Sequence, residues 1–131
     1  MIKLTLPIYY KDNKGTHLLG LNKYERMHYH PLNKLKQDYY KRVRSQIDRK
    51  HKISGQYTAH FKLWYKNPTC DAPNIISVIE KIAMDGLQLY NVITEDNVKY
   101  YKGATWEVVD RDIENPRVEI EVRSMTICTT H

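Results

Sequence analysis

The sequence is poor in the residues that stabilise disulfide-rich and zinc-binding domains. Only two of its 131 residues are cysteine. Cys70 and Cys128 stand far apart, and neither has cysteine or histidine neighbours at the spacing of a zinc finger. We therefore expect neither a disulfide nor a structural zinc ion.

Long apolar runs are lacking as well. No stretch approaches the roughly 18 to 20 apolar residues that cross a bilayer, and residues 1–7 do not form the apolar segment of a signal peptide. Hydrophobic residues make up 41% and charged residues 27% of the 131 positions, which is typical of one folded domain. We expect residues 1–131 to form a single cytoplasmic domain with no membrane partner.

Hydrophobic periodicity predicts an α+β fold. Alternation of apolar and polar residues predicts four strands, over residues 1–7, 57–66, 100–109 and 117–123. Apolar residues at three- and four-residue steps predict two helices, over residues 31–50 and 75–87. Glycine and polar residues predict a turn or mobile loop over residues 11–20 and a turn over residues 112–116. The expected architecture is a small mixed or antiparallel sheet, with a central strand at 57–66, packed with two main helices.

Aromatic residues are mostly tyrosine, with 11 tyrosines against two tryptophans and one phenylalanine. Trp64 and Trp106 lie in predicted strands and are expected in the core. Most tyrosines are expected in the core or an interface, although exposed ones could stack on unpaired bases.

Positive charge is concentrated in the first predicted helix. The formal net charge is +6, and residues 34–52 contain an excess of lysine and arginine over aspartate. Such a local field suits a polyanion, because each neutralised phosphate releases counterions; a solvated helix face is the alternative. The candidate DNA-binding residues are Lys34, Lys36, Lys41, Arg42, Arg44, Arg49 and Lys50.

Acidic residues surround the second predicted helix. At about 100° per residue, Asn74, Lys81 and Asp85 share one side of that helix, opposite its isoleucines. Asp71 precedes the first turn, and Glu95 with Asp96 could return from the following loop. Carboxylates gathered at one spot repel each other unless a cation such as Mg2+ lies between them. The alternative is structural: Asp71 caps the helix, while Lys81 and Asp85 form a surface pair.

The order of these residues resembles the RusA family of Holliday-junction resolvases, in its phage-type members. The resemblance covers about residues 61–122 and rests on Asp71, Asn74, Lys81, Asp85, Leu87, Val92, Ile93, Glu95, Asp96, Asn97, Asn115, Pro116 and Arg117. It implies a homodimeric α+β endonuclease that binds four-way DNA junctions and cuts two strands symmetrically. The implied cofactor is Mg2+, with Mn2+ as a possible substitute.

The resemblance also implies roles for individual residues. The implied catalytic residues are Asp71, Lys81, Asp85 and Asp96, and the implied metal ligands are Asp71, Asp85, Glu95 and Asp96. Asn74 is implied as a supporting residue of the site.

Two departures from the family pattern affect this site. Pro73 stands where family members commonly have a second aspartate, and Lys81 with the later acids falls about one helical turn farther from Asn74. Our hypothesis is that Asp85 replaces the missing carboxylate.

The expected function is therefore Mg2+-dependent, structure-selective cleavage of branched DNA. The alternatives are a non-catalytic protein that binds branched or single-stranded nucleic acid, and a subunit whose basic face meets an acidic protein.

Overall fold

The computed structural model describes residues 1–48 and 50–125, and these contain six strands and three helices. In chain order they are β1 (Ile2–Pro7), β2 (Tyr9–Asp12), β3 (Gly15–Leu18), α1 (Leu21–Arg26), α2 (Tyr29–Gln46), β4 (Tyr57–Tyr65), α3 (Ala72–Leu89), β5 (Tyr101–Arg111) and β6 (Arg117–Ser124). The predicted α+β class is confirmed.

Four of the strands form a mixed sheet in the order β1-β6-β4-β5. The β1–β6 and β6–β4 pairs are antiparallel, whereas β5 runs parallel to β4. Parallel neighbours need a crossover connection, and α3 supplies it between β4 and β5. Strand β4 is an inner strand, as predicted, and its buried residues alternate as Tyr57, Ala59, Phe61 and Leu63.

Helices α2 and α3 pack together over one face of this sheet, and the core lies between the two layers. Helix α3 begins at Asp71, whose carboxylate accepts a hydrogen bond from the Asn74 N–H, with Pro73 in the first turn. The two helices lie close together at Gly86, where an added Cβ would lie 3.2 Å from the Val43 Cγ2 atom. A small residue at position 86 therefore lets α2 pack closely against the C-terminal part of α3.

Several local predictions are wrong in detail. The turn expected in residues 11–20 is present at residues 13–14, but the strands β2 and β3 that pair on either side of it were not predicted. Helix α1 was not predicted, and α2 ends at Gln46 instead of residue 50. Ile47 already has extended backbone, so Lys50 lies beyond the helix.

The two tryptophans are not in the core. Trp106 is 45% exposed because β5 is an edge strand, where one side of the backbone has no neighbouring strand among the described residues. Trp64 is half-buried on the face of the sheet opposite the helices, with the Arg117 guanidinium 4.1 Å from its ring centre.

Cys70 is a free thiol, and Cys128 lies outside the described residues. None of the helices in the described part of the chain has the length and apolar character needed to cross a membrane.

Candidate carboxylate site

Asp85 lies half-buried on α3, where α1, α2 and the loop after α3 meet. Burial raises the pKa of Asp85, and the neighbouring Asp96 carboxylate raises it further. The ammonium groups of Lys36 and Lys81 act in the opposite direction. The structure thus brings together two carboxylates and two ammonium groups. We call Asp85 and Asp96 the Asp85 pair, and Lys36 and Lys81 the flanking lysines.

Asp96 is held by an anchored loop. Val92 and Ile93 are buried, and the Val92 backbone closes the end of α3 by donating to the Leu87 carbonyl at 2.9 Å. The Tyr57 hydroxyl, from the start of β4, donates to the Glu95 carbonyl at 2.6 Å. Because these hydrogen bonds hold the loop at Val92 and at Glu95, Asp96 lies on the side of α3 that carries Asp85.

Two stacked tyrosines lie beside Asp96. The rings of Tyr57 and Tyr101 lie 5.1 Å apart, and the Tyr101 hydroxyl donates to the Glu80 carboxylate at 2.6 Å. Burial, and then Asp96, raise the pKa of Tyr57 to about 12. Glu80 thus adds a third acid to this region, held by a neutral phenol.

Tyr24 of α1 closes the site from the other side. Its ring is 3% exposed, and the ammonium nitrogens of Lys36 and Lys81 lie 5.9 and 5.7 Å from its centre. Its hydroxyl is buried and has no hydrogen-bond partner within the described residues. Burial, helped by Tyr40 and Asp85, raises the pKa of Tyr24 to about 12. A neutral O–H donor therefore lies near the Asp85 carboxylate without a protein acceptor.

The structure separates Asp71 from this pair. Asp71 and Asp85 belong to one helix, which rises about 1.5 Å per residue, so about 21 Å of helix lies between them. Asp71 is exposed and acts as the N-cap, which is the structural alternative that the sequence left open. One ion cannot bind both carboxylates.

Asn74 has a structural contact instead of a place beside Asp85. Its Oδ1 atom accepts a hydrogen bond of 2.9 Å from the Leu21 N–H, the first N–H of α1. Gly20, the N-cap of α1, offers no side chain for this purpose, and an added Cβ there would lie 2.9 Å from the Asn74 amide nitrogen. Asn74 therefore caps α1 from α3.

The remaining predicted residues have the following positions. Glu95 points its carboxylate at the Asn97 amide, while its carbonyl receives the Tyr57 hydroxyl. The ion pairs within the described residues do not include one between Lys81 and Asp85. The Lys81 ammonium lies over the Tyr24 ring instead. Within residues 1–48 and 50–125, no group of three or more histidine, cysteine, aspartate or glutamate side chains is placed to hold one metal ion.

The basic residues of α2 divide between two sides of the helix. Lys36 and Arg44 point toward α3, where the Arg44 guanidinium lies 5.3 Å from the Tyr90 ring centre. Lys34 and Arg42 line a separate groove of about 860 Å³ between α2 and the β2–β3 hairpin. Lys41 and Lys50 are exposed, and Arg49 lies outside the described residues.

Comparison with known proteins gives no match to any protein-family model and none to a curated protein. The function is therefore inferred from the geometry of the Asp85 pair and its surroundings.

Sequence reasoning missed four residues of this site. They are Tyr24, Tyr57, Glu80 and Tyr101. Tyr57 begins one predicted strand and Tyr101 is the second residue of another, and the parallel pairing that joins them is not visible in a local pattern.

Proposed function

We propose that the protein is a Mg2+-dependent, structure-selective endodeoxyribonuclease that resolves Holliday junctions and other branched DNA. It would make paired symmetric cuts as a homodimer, in the cytoplasm of a bacterial or phage-infected cell. The observation that carries this proposal is the pair of carboxylates, Asp85 and Asp96, beside the flanking lysines.

The chemistry of these side chains fits a magnesium ion. Proteins usually bind Mg2+ through one or two carboxylates plus substrate phosphates, with waters completing the octahedron. Two carboxylates therefore suffice to bind the ion. Their mutual repulsion contributes to the raised pKa of Asp85, and a bound cation would remove that repulsion. The unpartnered Tyr24 hydroxyl supplies a donor to a water at the same place.

The bound ion would supply the positive charge that phosphodiester hydrolysis needs at the attacking and leaving oxygens. Asp85 and Asp96 would hold it. Lys36 and Lys81 lie within reach of the same space, so they would neutralise and orient the phosphate of the strand to be cut. Arg44 extends this positive stripe along α2 and would hold the neighbouring backbone phosphates.

A second candidate is a branched or single-stranded nucleic-acid-binding protein without catalysis. One observation favours it: a tyrosine-lined basic groove runs beside α2. Tyr9 and Tyr10 lie in that groove with Lys34 and Arg42, a combination that can stack bases and contact phosphates.

The deciding experiment is cleavage of a labelled four-way junction, compared with a linear duplex of the same sequence, in Mg2+ or in EDTA. We expect paired nicks on the junction in Mg2+ alone. Asp85→Asn and Asp96→Asn should each lower the rate by about 100-fold or more, as expected when charge stabilisation at a reacting phosphate is lost. Asp38→Asn is the matched control, because Asp38 is an exposed carboxylate on the other side of α2.

Asp71→Asn separates the geometric site from the one that the resemblance implies. Asparagine is as good an N-cap as aspartate, so the helix should keep its stability. We expect this variant to retain cleavage, since Asp71 lies at the opposite end of α3. Loss of cleavage would return Asp71 to the site, whereas junction binding without cleavage in any divalent metal would favour the second candidate.

A further inference from the structure

The outer edge of β5 is a long, exposed strand edge. Strand β5 has 11 residues, bonds to β4 along one side, and has no strand on its other side within the described residues. Every residue from Lys102 to Arg111 is exposed. Trp106, Val108 and Val109 are 45%, 47% and 43% exposed, which makes this edge apolar as well as unpaired. Natural proteins rarely leave such an edge open, because it is a template for pairing with another chain.

The apolar residues of β5 lie mainly on one face. Trp106 is in register with Phe61, and Val108 with Leu63, on the parallel neighbour β4. Phe61 and Leu63 are fully buried under the helices, so Trp106 and Val108 point to the same side of the sheet. Apart from Tyr101, whose hydroxyl bonds to Glu80 of α3, the helices leave β5 exposed, so Trp106 and Val108 form an exposed apolar surface at the edge of the core.

We propose that β5 pairs antiparallel with β5 of a second copy of this chain, about a two-fold axis that passes through Trp106. The pairing would join two four-stranded sheets into one continuous sheet with all helices on the same face, because such an axis is perpendicular to the sheet. The two Trp106 rings would meet directly across the axis, where aromatic cross-strand pairs are stabilising.

Charge and size complementarity select this register. With the axis at Trp106, Ala104 faces Val108 of the second copy and Thr105 faces its Glu107. Relative to β4, strand β5 carries one extra residue at Lys102 and another at Val109. At these bulges Lys102 approaches Asp110 of the second copy, so opposite charges meet at both ends of the interface. Moving the axis to Glu107 would set two like carboxylates against each other, which is destabilising. Moving it to Thr105 would leave Lys102 facing Val108, and its charge unmatched.

This inference rests on the homodimer of the proposed function and names the surface that joins its two subunits. The Asp85 pair lies near the start of β5, at Tyr101, and away from the axis. The two can still fail separately: a dimer that pairs through β5 but does not cut junctions would refute the function alone, and a junction-cutting dimer without the β5 crosslinks would refute this interface alone.

The first test is the mass of the protein in solution, measured by sedimentation equilibrium over a range of concentrations. We expect the unmodified chain to be a dimer and Val108→Lys to raise the dissociation constant at least about tenfold. Val98→Lys is the matched control, because Val98 is 86% exposed but lies outside β5, and it should remain dimeric. A monomeric unmodified chain, a dimeric Val108→Lys variant or a monomeric Val98→Lys variant would each overturn the proposal.

The second test measures the register by disulfide trapping, in a chain with Cys70 and Cys128 replaced by serine. Directly opposite residues of antiparallel strands have Cα atoms about 4.5 to 5.5 Å apart, which is within disulfide range. Chains carrying Thr105→Cys or Glu107→Cys should crosslink only when the two are mixed. Crosslinking of Thr105→Cys with itself would move the axis to residue 105, and crosslinking of Glu107→Cys with itself would move it to residue 107. Either result, or the absence of any crosslink, would refute pairing about Trp106.

Discussion

Replacement of Asn74 by alanine tests whether this residue belongs to the chemistry or to the scaffold. The Leu21 N–H would lose its 2.9 Å acceptor and α1 its cap. Loss of a side-chain cap costs about 0.5 to 2 kcal/mol. Alanine returns up to about 0.7 kcal/mol through its better helix propensity in α3. We expect a net loss of about 1 kcal/mol in the free energy of unfolding.

The effect is measurable as a thermal shift. For a domain of this size, about 1 kcal/mol corresponds to a fall of roughly 3 to 5 °C in the midpoint of unfolding. Asn33→Ala is the control, because Asn33 is exposed on α2, and its midpoint should stay level or rise slightly.

A double-mutant cycle with Gly20→Ala makes the test sharper. A Cβ at position 20 would lie 2.9 Å from the Asn74 amide nitrogen, so it would push Asn74 away from the Leu21 N–H. Both substitutions then remove the same hydrogen bond, and the double variant should lose less stability than the two single losses added together. Additive losses would refute the shared contact. Loss of junction cleavage by Asn74→Ala at unchanged stability would show instead that Asn74 acts in the site.

Three further outcomes follow from the structure. Because burial and Asp96 raise the pKa of Asp85, its ionised form opposes folding at neutral pH. Asp85→Asn should therefore raise the midpoint of thermal unfolding and abolish any stabilisation by added Mg2+. A lower midpoint would contradict this prediction. Folding also raises the pKa of Tyr24 and Tyr57 from 10.0 to about 12, so the folded state keeps protons that the unfolded state releases. The free energy of unfolding, measured with urea at several pH values, should be level below pH 10 and fall between about pH 10 and 12. Tyr39→Phe removes the hydroxyl that donates to the Pro7 carbonyl at 2.6 Å and should cost about 1 kcal/mol in urea unfolding, a loss that an exposed Tyr29→Phe should not show.

Local pattern was sufficient for the inner strands and the long helices. The alternation that predicted β4 and β6 is the alternation that the core requires, since one face of each strand is buried against α2 and α3. Pattern failed for α1, whose cap comes from Asn74, 53 residues away in sequence. It also failed for Trp106, because a strand's own residues do not specify whether it lies inside a sheet or at its edge.

The candidate site shows the same limit in another form. Helical periodicity gives the angle of a side chain around the axis but says nothing by itself about the distance along it. Lys81 and Asp85, one turn apart, were therefore rightly assigned to one side of α3, where both lie near Tyr24. Asp71 has a similar angle but lies at the other end of the helix. The neighbours contributed by α1, α2 and the start of β4 depend on tertiary packing, which no short motif encodes.

The pairing of β1 with β6 has a consequence for the synthesis of the chain. Strand β1 bonds in the sheet only to β6 among the described strands, and β6 is also the strand that links β1 to β4. At translation rates of about 5 to 20 residues per second, Leu4 leaves the peptidyl transferase centre roughly 6 to 23 seconds before its partner Ile120. During that interval the apolar face of β1 can pack only on α2 and its backbone has no strand partner, so the nascent chain is a candidate for chaperone binding until β6 is made.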